Sequence, residues 1–326
     1  MARPWGVWTE QKLDVLAAYL HAFTTASKQA HATVYMDLFA GQAENVSRTT
    51  GDPVMGSAWR ALETKPPFTK IMLFEKPTRA VGLEAMLRRE YPERDLTVYP
   101  GDCNVNVAGA LHALAGYRDA PTFAFIDQEG AEVRWTTLEQ LGSHKTTRTK
   151  VELWMYFATG LLPRGLVRRD GSRNESFAEQ VTAMIGTDQW CEIDEAKGRG
   201  LLSPAEARSE TRNLMRWRLE KVLGYQHSLL LTLRNTRHSE MYDMIFATDH
   251  PVGRKIMEHL NRRARREQPG LLAMERLVRG DRRAEKEHGV VPLLAAADTR
   301  PSVATWDVNM ELDETDPVRP PYRHPR

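Results

Sequence analysis

Apolar positions along the chain fall first at helical spacing and then in short runs. Leu13, Leu16, Ala17, Leu20 and Phe23 mark one face of a helix, with Thr9 as its N-cap and Glu10 in its first turn. The pattern stops near Lys28 and gives way to a strand-like run over 33–39. Further apolar runs cover 70–75, 96–99, 122–127 and 151–157, with helical segments between them at 56–62, 79–90, 104–114 and 137–141. Strand alternating with helix predicts right-handed crossovers and a mostly parallel sheet. The runs are apolar almost throughout, which predicts a sheet covered on both faces. Asp37, Glu75 and Asp127 close three of them, at the carboxyl edge where such sheets bind ligands.

Residues 160–224 interrupt this rhythm. The stretch is polar and helix-prone, with Phe177, Val181 and Ile185 at spacing four and a second helix over 205–223. Two strands then return, 227–233 and 241–248, across a polar turn holding Asn235 and Ser239, which predicts an antiparallel hairpin. A helix over 254–266 follows, and beyond Pro269 a charged helix over 271–287. Prolines and acids crowd the chain from Arg300 onward and predict a loose tail. The expected organisation is one domain over 1–267 with a helical insertion at 160–224, a charged extension at 268–299 and a disordered tail at 300–326. Five parallel strands closed by an antiparallel C-terminal hairpin is an α/β layout of the class I S-adenosylmethionine-dependent methyltransferase (Rossmann-type) kind. Ordinary dinucleotide-binding sheets are wholly parallel.

Composition narrows the partners. The chain has 326 residues, 41% hydrophobic and 27% charged, enough to bury a large core without disulfides. Lys and Arg number 45 against 43 Asp and Glu, a formal charge of +2, which excludes a histone-like protein but not a local basic patch. Two cysteines, Cys103 and Cys191, cannot build a disulfide framework or a four-cysteine zinc site, and no metal site is expected. No signal-peptide core stands at the start, and no run reaches the roughly 18 apolar residues that span a bilayer. A reducing, cytoplasmic setting with no membrane partner is the expectation.

Candidate chemistry clusters at the strand ends. The first strand runs into Ala40-Gly41, a glycine turn that lets backbone approach a ligand closely. In a methyltransferase this turn, here Phe39 to Gly41, passes beneath the methionine part of S-adenosylmethionine, and the acid before it, Asp37, contacts its polar groups. Glu75 can accept both hydroxyls of a ribose, or else pair with Lys76 at the surface. Asp102 and Asn104 follow the third strand, where Asp102 can receive an adenine amine or cap the next helix. Asp127 and Glu129 end the fourth strand, where the methyl group would be transferred. They are the candidate catalytic residues, able to orient a hydroxyl or amine or act as a general base. Prolines and an aromatic, usual there in enzymes that methylate a base amine, are absent. Arg164, Arg168 and Arg169 are candidates for an acidic substrate, and Arg262, Arg263, Arg265 and Arg266 for phosphates. Trp135, Trp190 and Trp217 could stack bases but suit a core equally.

One ordered string of motifs is more specific. Trp8-Thr9-Glu10-Gln11-Lys12-Leu13, Asp37-Leu38-Phe39-Ala40-Gly41, Gly56-Ser57, Phe125-Ile126-Asp127 with Gly130, Glu152-Leu153-Trp154 and Ile245-Phe246-Ala247-Thr248-Asp249-His250-Pro251-Val252-Gly253 follow in sequence. Over about Trp8 to His259 the chain resembles the three-Cys-motif partner protein family. The resemblance implies a class I methyltransferase-like fold, S-adenosylmethionine as cofactor, and a partner that carries an iron–sulfur cluster of radical-enzyme type. Two motifs depart from the family. Gln42-Ala43 stands where the family has Pro-Gly, and Gln128 stands where it has proline, which removes a rigid turn at the reaction site. Three functions follow as expectations: a methyltransferase acting with the iron–sulfur partner, a non-catalytic subunit that docks that partner, or a nucleic-acid methyltransferase.

Overall fold

The computed structural model describes residues 4–42, 44–288 and 316–323. The first half of the chain is α1 (Val7–Ala26), β1 (Val34–Asp37), a short hairpin of β2 (Glu44–Val46) and β3 (Pro53–Met55), α2 (Ser57–Glu63), β4 (Lys70–Glu75), α3 (Pro77–Glu90), β5 (Leu96–Pro100), α4 (Cys103–Ala113), β6 (Thr122–Ile126), α5 (Trp135–His144) and β7 (Glu152–Phe157). The insertion is four helices, α6 (Leu162–Gly165), α7 (Glu175–Ile185), α8 (Trp190–Gly198) and α9 (Pro204–Trp217). Then come β8 (His227–Arg234), β9 (Glu240–Thr248) and α10 (Pro251–His288). No described helix is long and apolar enough to cross a membrane.

Seven strands form one mixed sheet in the order β5-β4-β1-β6-β7-β9-β8. The first five run parallel, β9 is antiparallel to β7, and β8 is antiparallel to β9. This arrangement is compatible with a Rossmann-like fold. Every residue of β6 and β7 is buried, as a strand between two helical layers requires. Trp154, Phe125, Phe123, Tyr35 and Phe246 are among the largest fully buried side chains. The predicted strands all form, with ends moved by a residue or so.

Two expectations change. Residues 254–266 and 271–287 were expected as separate helices, with a domain boundary between them. They are one helix, α10, running through Pro269. Proline removes one backbone hydrogen bond, but the buried face of α10 continues across it through Met257, Leu260, Ala264, Gln268 and Leu272. Gln11 of α1 donates to Ala264 O at 2.7 Å, and Gln268 donates to Gln11 at 3.2 Å, so tertiary contacts carry the helix past the gap. The arginines at 262–266 therefore lie mid-helix, where Arg265 donates to Leu230 O and Arg263 pairs with Glu267.

The tail is the second change. Residues 316–323 are not loose but dock on the insertion. Asn213 and Arg319 exchange two hydrogen bonds, with Asn213 Nδ2 donating to Arg319 O at 2.9 Å and Arg319 N–H donating to Asn213 Oδ1 at 3.0 Å. Arg319 also pairs with Glu210, Arg323 with Glu192, and Arg216 donates to Asp316 O. The rest of the expected extension and tail, 289–315 and 324–326, lies outside the described residues.

The motif over 245–253 lies away from the carboxyl edge of the parallel strands. It spans the end of β9 and the start of α10, at the amino end of the parallel strands. Thr248 and Tyr19 both donate to Glu152, each at 2.5 Å, and Asp249 accepts the Lys150 and Gln226 N–H groups at 2.9 Å. A Cβ on Gly253 would collide with Glu152 and the Tyr19 hydroxyl. The motif is a structural clasp joining β7, β9 and α10.

Candidate functional site

The strand order reverses between β1 and β6, and there the loops from their carboxyl ends part to leave a crevice. A cleft of about 1290 Å³ opens at that point. It is larger than the roughly 300–1,000 Å³ that holds one drug-sized ligand.

One wall is the turn after β1. Gly41 has φ 65°, a conformation glycine adopts without strain. Its N–H donates to Glu75 Oε2 at 2.5 Å. The other Glu75 oxygen accepts the Lys76 N–H at 2.7 Å and the Arg79 guanidinium at 2.8 and 2.9 Å. The acid thus pairs with Arg79 rather than the Lys76 ammonium. Oε2 makes no other hydrogen bond among the described residues, which leaves it a lone pair for a ligand hydroxyl.

The second wall is the loop into α4. Asp102 Oδ1 accepts the Asn104 N–H at 2.9 Å and caps the helix, while Oδ2 has no hydrogen bond among the described residues. Asn104 uses all its hydrogen-bonding capacity on the scaffold. It donates to Glu132 O and Asp102 and accepts from the Arg134 N–H and the Thr137 hydroxyl. Asn104 lines the cleft as a strut between α4 and α5.

The floor is the end of β6. Asp127 is gripped by Lys12, whose Nζ lies 2.6 and 2.5 Å from its two oxygens. Tyr242 of β9 stands beside them, 5.7 Å from Lys12 Nζ to the ring centre, and Tyr156 of β7 packs on it with ring centres 4.5 Å apart and planes tilted by 38°. Burial and the neighbouring Asp127 charge push both phenols above their ordinary range. Glu129 is exposed at the rim.

Gln128 corrects the expectation of a loosened turn. It is buried, its Oε1 accepts the Glu132 and Val133 N–H groups at 2.7 and 2.8 Å, and its Nε2 donates to Tyr156 O at 3.1 Å. The side chain clamps the loop that a proline would have stiffened.

Asp37 does not line the cleft. It is fully buried beneath it, accepting the Tyr35 hydroxyl at 2.9 Å and the Phe39 N–H at 3.2 Å. Burial raises its carboxyl to about 7, against hydrogen bonds from Ser57, Tyr35 and Phe39. Phe39, Gly41, Glu75, Asp102, Asn104, Asp127 and Glu129 do come together around the cleft.

The mouth holds residues that sequence reasoning missed. Trp5 N–H donates to Val46 O at 2.9 Å and Arg48 N–H to Trp5 O at 2.7 Å, so the β2–β3 hairpin is stitched to the segment before α1. The Arg48 guanidinium lies 5.5 Å above the Trp8 ring. Arg134 also lines the cleft and is exposed. Lys12 had a sequence signal. It falls four residues before Leu16 and eight before Leu20, a charge on the apolar face of α1. The expected arginines sit elsewhere. Arg164 lines a separate cavity of about 240 Å³ under the insertion, and Arg168 and Arg169 line neither. Trp135 and Trp190 are core residues, and Cys103 is a buried thiol that burial pushes up to about 12.

No family model and no curated protein matches the chain. Among solved structures, the crystal structure of protein LPL1258 (DUF519) from Legionella pneumophila strain Philadelphia 1 is similar at 12% identity, over 76% of this chain and 91% of that one, with a TM-score of 0.44. That likeness carries no argument about function.

Proposed function

We propose that the protein is an S-adenosylmethionine-dependent methyltransferase of class I architecture. The observation that carries this reading is β9, antiparallel and lodged between β7 and β8 beside five parallel strands. Sheets that bind nicotinamide dinucleotides are wholly parallel. The donor set of the cleft fits the nucleoside. Gly41 offers a close backbone approach for the methionine end, the free place on Glu75 Oε2 suits a ribose hydroxyl, and Asp102 Oδ2 suits an adenine amine, which only donates. When bound, S-adenosylmethionine supplies an electrophilic methyl group, and the protein supplies alignment and exclusion of water. In this reading Asp127, which lines the cleft at the end of β6, would face that group.

The iron–sulfur partner belongs to the same proposal. Cys103 and Cys191 are separate and uncoupled, so a cluster would be held by the partner. A thermal-shift titration with S-adenosylmethionine and S-adenosylhomocysteine tests the reading. A ligand well above its dissociation constant must raise the melting temperature. No shift at millimolar ligand would leave the docking subunit as the better description.

A further inference from the structure

We propose that the acceptor in this cleft is a hydroxyl group on a planar aromatic carrier. Lys12 donates to its oxygen and Asp127 takes its proton. This deepens the methyltransferase reading and rests on it.

The argument begins with Lys12. Its side chain is 6% exposed, carried into the cleft on the buried face of α1. An ammonium has three donors. Two go to the two oxygens of Asp127; the Tyr242 ring lies 5.7 Å from the ammonium, and the third donor has no oxygen acceptor among the described residues. An aromatic ring at that distance is a weaker partner for an ammonium than an oxygen, so the site favours an oxygen there. Asp127 is 24% exposed, and each of its oxygens keeps one lone pair after serving Lys12. The pair therefore presents one free donor beside two free acceptor positions, one on each Asp127 oxygen.

A hydroxyl matches both at once. Its oxygen accepts from Lys12 and its hydrogen donates to Asp127. A planar ring amine offers only donors, because its lone pair is delocalised into the ring. It would satisfy Asp127 while setting its N–H groups against those of Lys12. Tyr156 and Tyr242, with ring centres 4.5 Å apart and planes tilted by 38°, give the acceptor an aromatic wall to pack against.

The transfer balances on these groups. The acceptor oxygen forms the new carbon–oxygen bond as the carbon–sulfur bond breaks and its electron pair stays on sulfur. The hydroxyl proton passes to Asp127. Lys12 keeps its protons and steadies the negative charge that gathers on the oxygen. The products are a methyl ether, a neutral thioether and a protonated Asp127 that returns its proton to water.

Fluorine NMR with para-fluorophenol and para-fluoroaniline tests the proposal, using the full chain with and without S-adenosylhomocysteine. The expected result is that the phenol binds at least about fivefold more tightly than the aniline, the scale of one satisfied hydrogen bond. That preference should vanish in Lys12→Met/Asp127→Asn, a pair chosen so that neither charge is left alone. Equal or tighter binding of the aniline, or no binding of the phenol, overturns it. So does an unchanged preference in a folded double variant. If that variant does not fold, the wild-type comparison still decides. Calorimetry with S-adenosylhomocysteine reads the cofactor separately. A phenol preference without cofactor binding strikes the methyltransferase reading and leaves the hydroxyl site standing.

Discussion

The Glu75 carboxylate accepts the backbone N–H of Gly41 at 2.5 Å, tying the end of β4 to the turn after β1. One acid thus shapes the glycine turn and faces the presumed ribose position. Removing it should loosen the turn and delete a ligand contact together. Glu75→Ala is expected to weaken S-adenosylmethionine binding by about 1–3 kcal/mol, the scale of a charge-assisted hydrogen bond. Isothermal calorimetry checks this, and equal affinity in variant and wild type would take Glu75 out of the site.

Asp37 predicts a pH dependence of stability. Its carboxyl is raised by burial from 3.8 to about 7. Between those values the unfolded chain has lost the proton and the folded protein still holds it. Folding takes up a proton in this window, so stability falls as pH rises from about 4 to about 7 and the cost is constant above. The loss is on the order of a few kcal/mol. Asp37→Asn should flatten most of it in denaturant titrations across pH. Glu152, raised by burial to about 6, leaves a smaller slope of the same sign. A variant with the full wild-type slope would refute the assignment.

Gln128→Ala should destabilise more than a surface change. It strands the Glu132 and Val133 N–H groups and the Tyr156 carbonyl. Each buried group left without a partner costs about 1–3 kcal/mol. A drop of several degrees in melting temperature is expected, with cofactor affinity less affected than in Glu75→Ala. A melting curve superposable on wild type would show that the loop is held by something else.

Asn213→Ala breaks both hydrogen bonds that fasten Arg319. The expected stability loss is about 1–2 kcal/mol. The clearer reading is local. Amide exchange at 318–323 should rise strongly while β4, β6 and β7 stay protected. Unchanged protection of the tail would mean that the Glu210 and Glu192 ion pairs suffice.

The sheet was legible because its information is local. Residues 71–74 and 123–126 are apolar throughout and bounded by polar or charged residues, so strand identity shows in the residues themselves. Three of the acids at the cleft were legible for the same reason, each being the first charge after an apolar run. Asp37 followed the same pattern but faces inward, a direction set by Tyr35 and Ser57 that sequence does not display. The β2–β3 hairpin escaped because three-residue strands, one opening on Pro53, carry too little pattern. Pro269 misled because the contacts that carry α10 past it come from residues more than 30 positions away. The docking of 316–323 depends on Asn213, about a hundred residues distant, and nothing in a proline-rich segment announces such a partner.

Lys12 and Tyr19 lie seven residues apart on the buried face of α1, about 10 Å along its axis. Tyr19 is anchored on Glu152 at the amino end of β7, and Lys12 reaches Asp127 beyond the carboxyl end of β6. The helix is therefore a strut with one foot in the clasp and the other in the cleft. Anything that shifts it along its length moves both feet by the same amount, so the reach of Lys12 is set at the opposite edge of the sheet from the place where it acts.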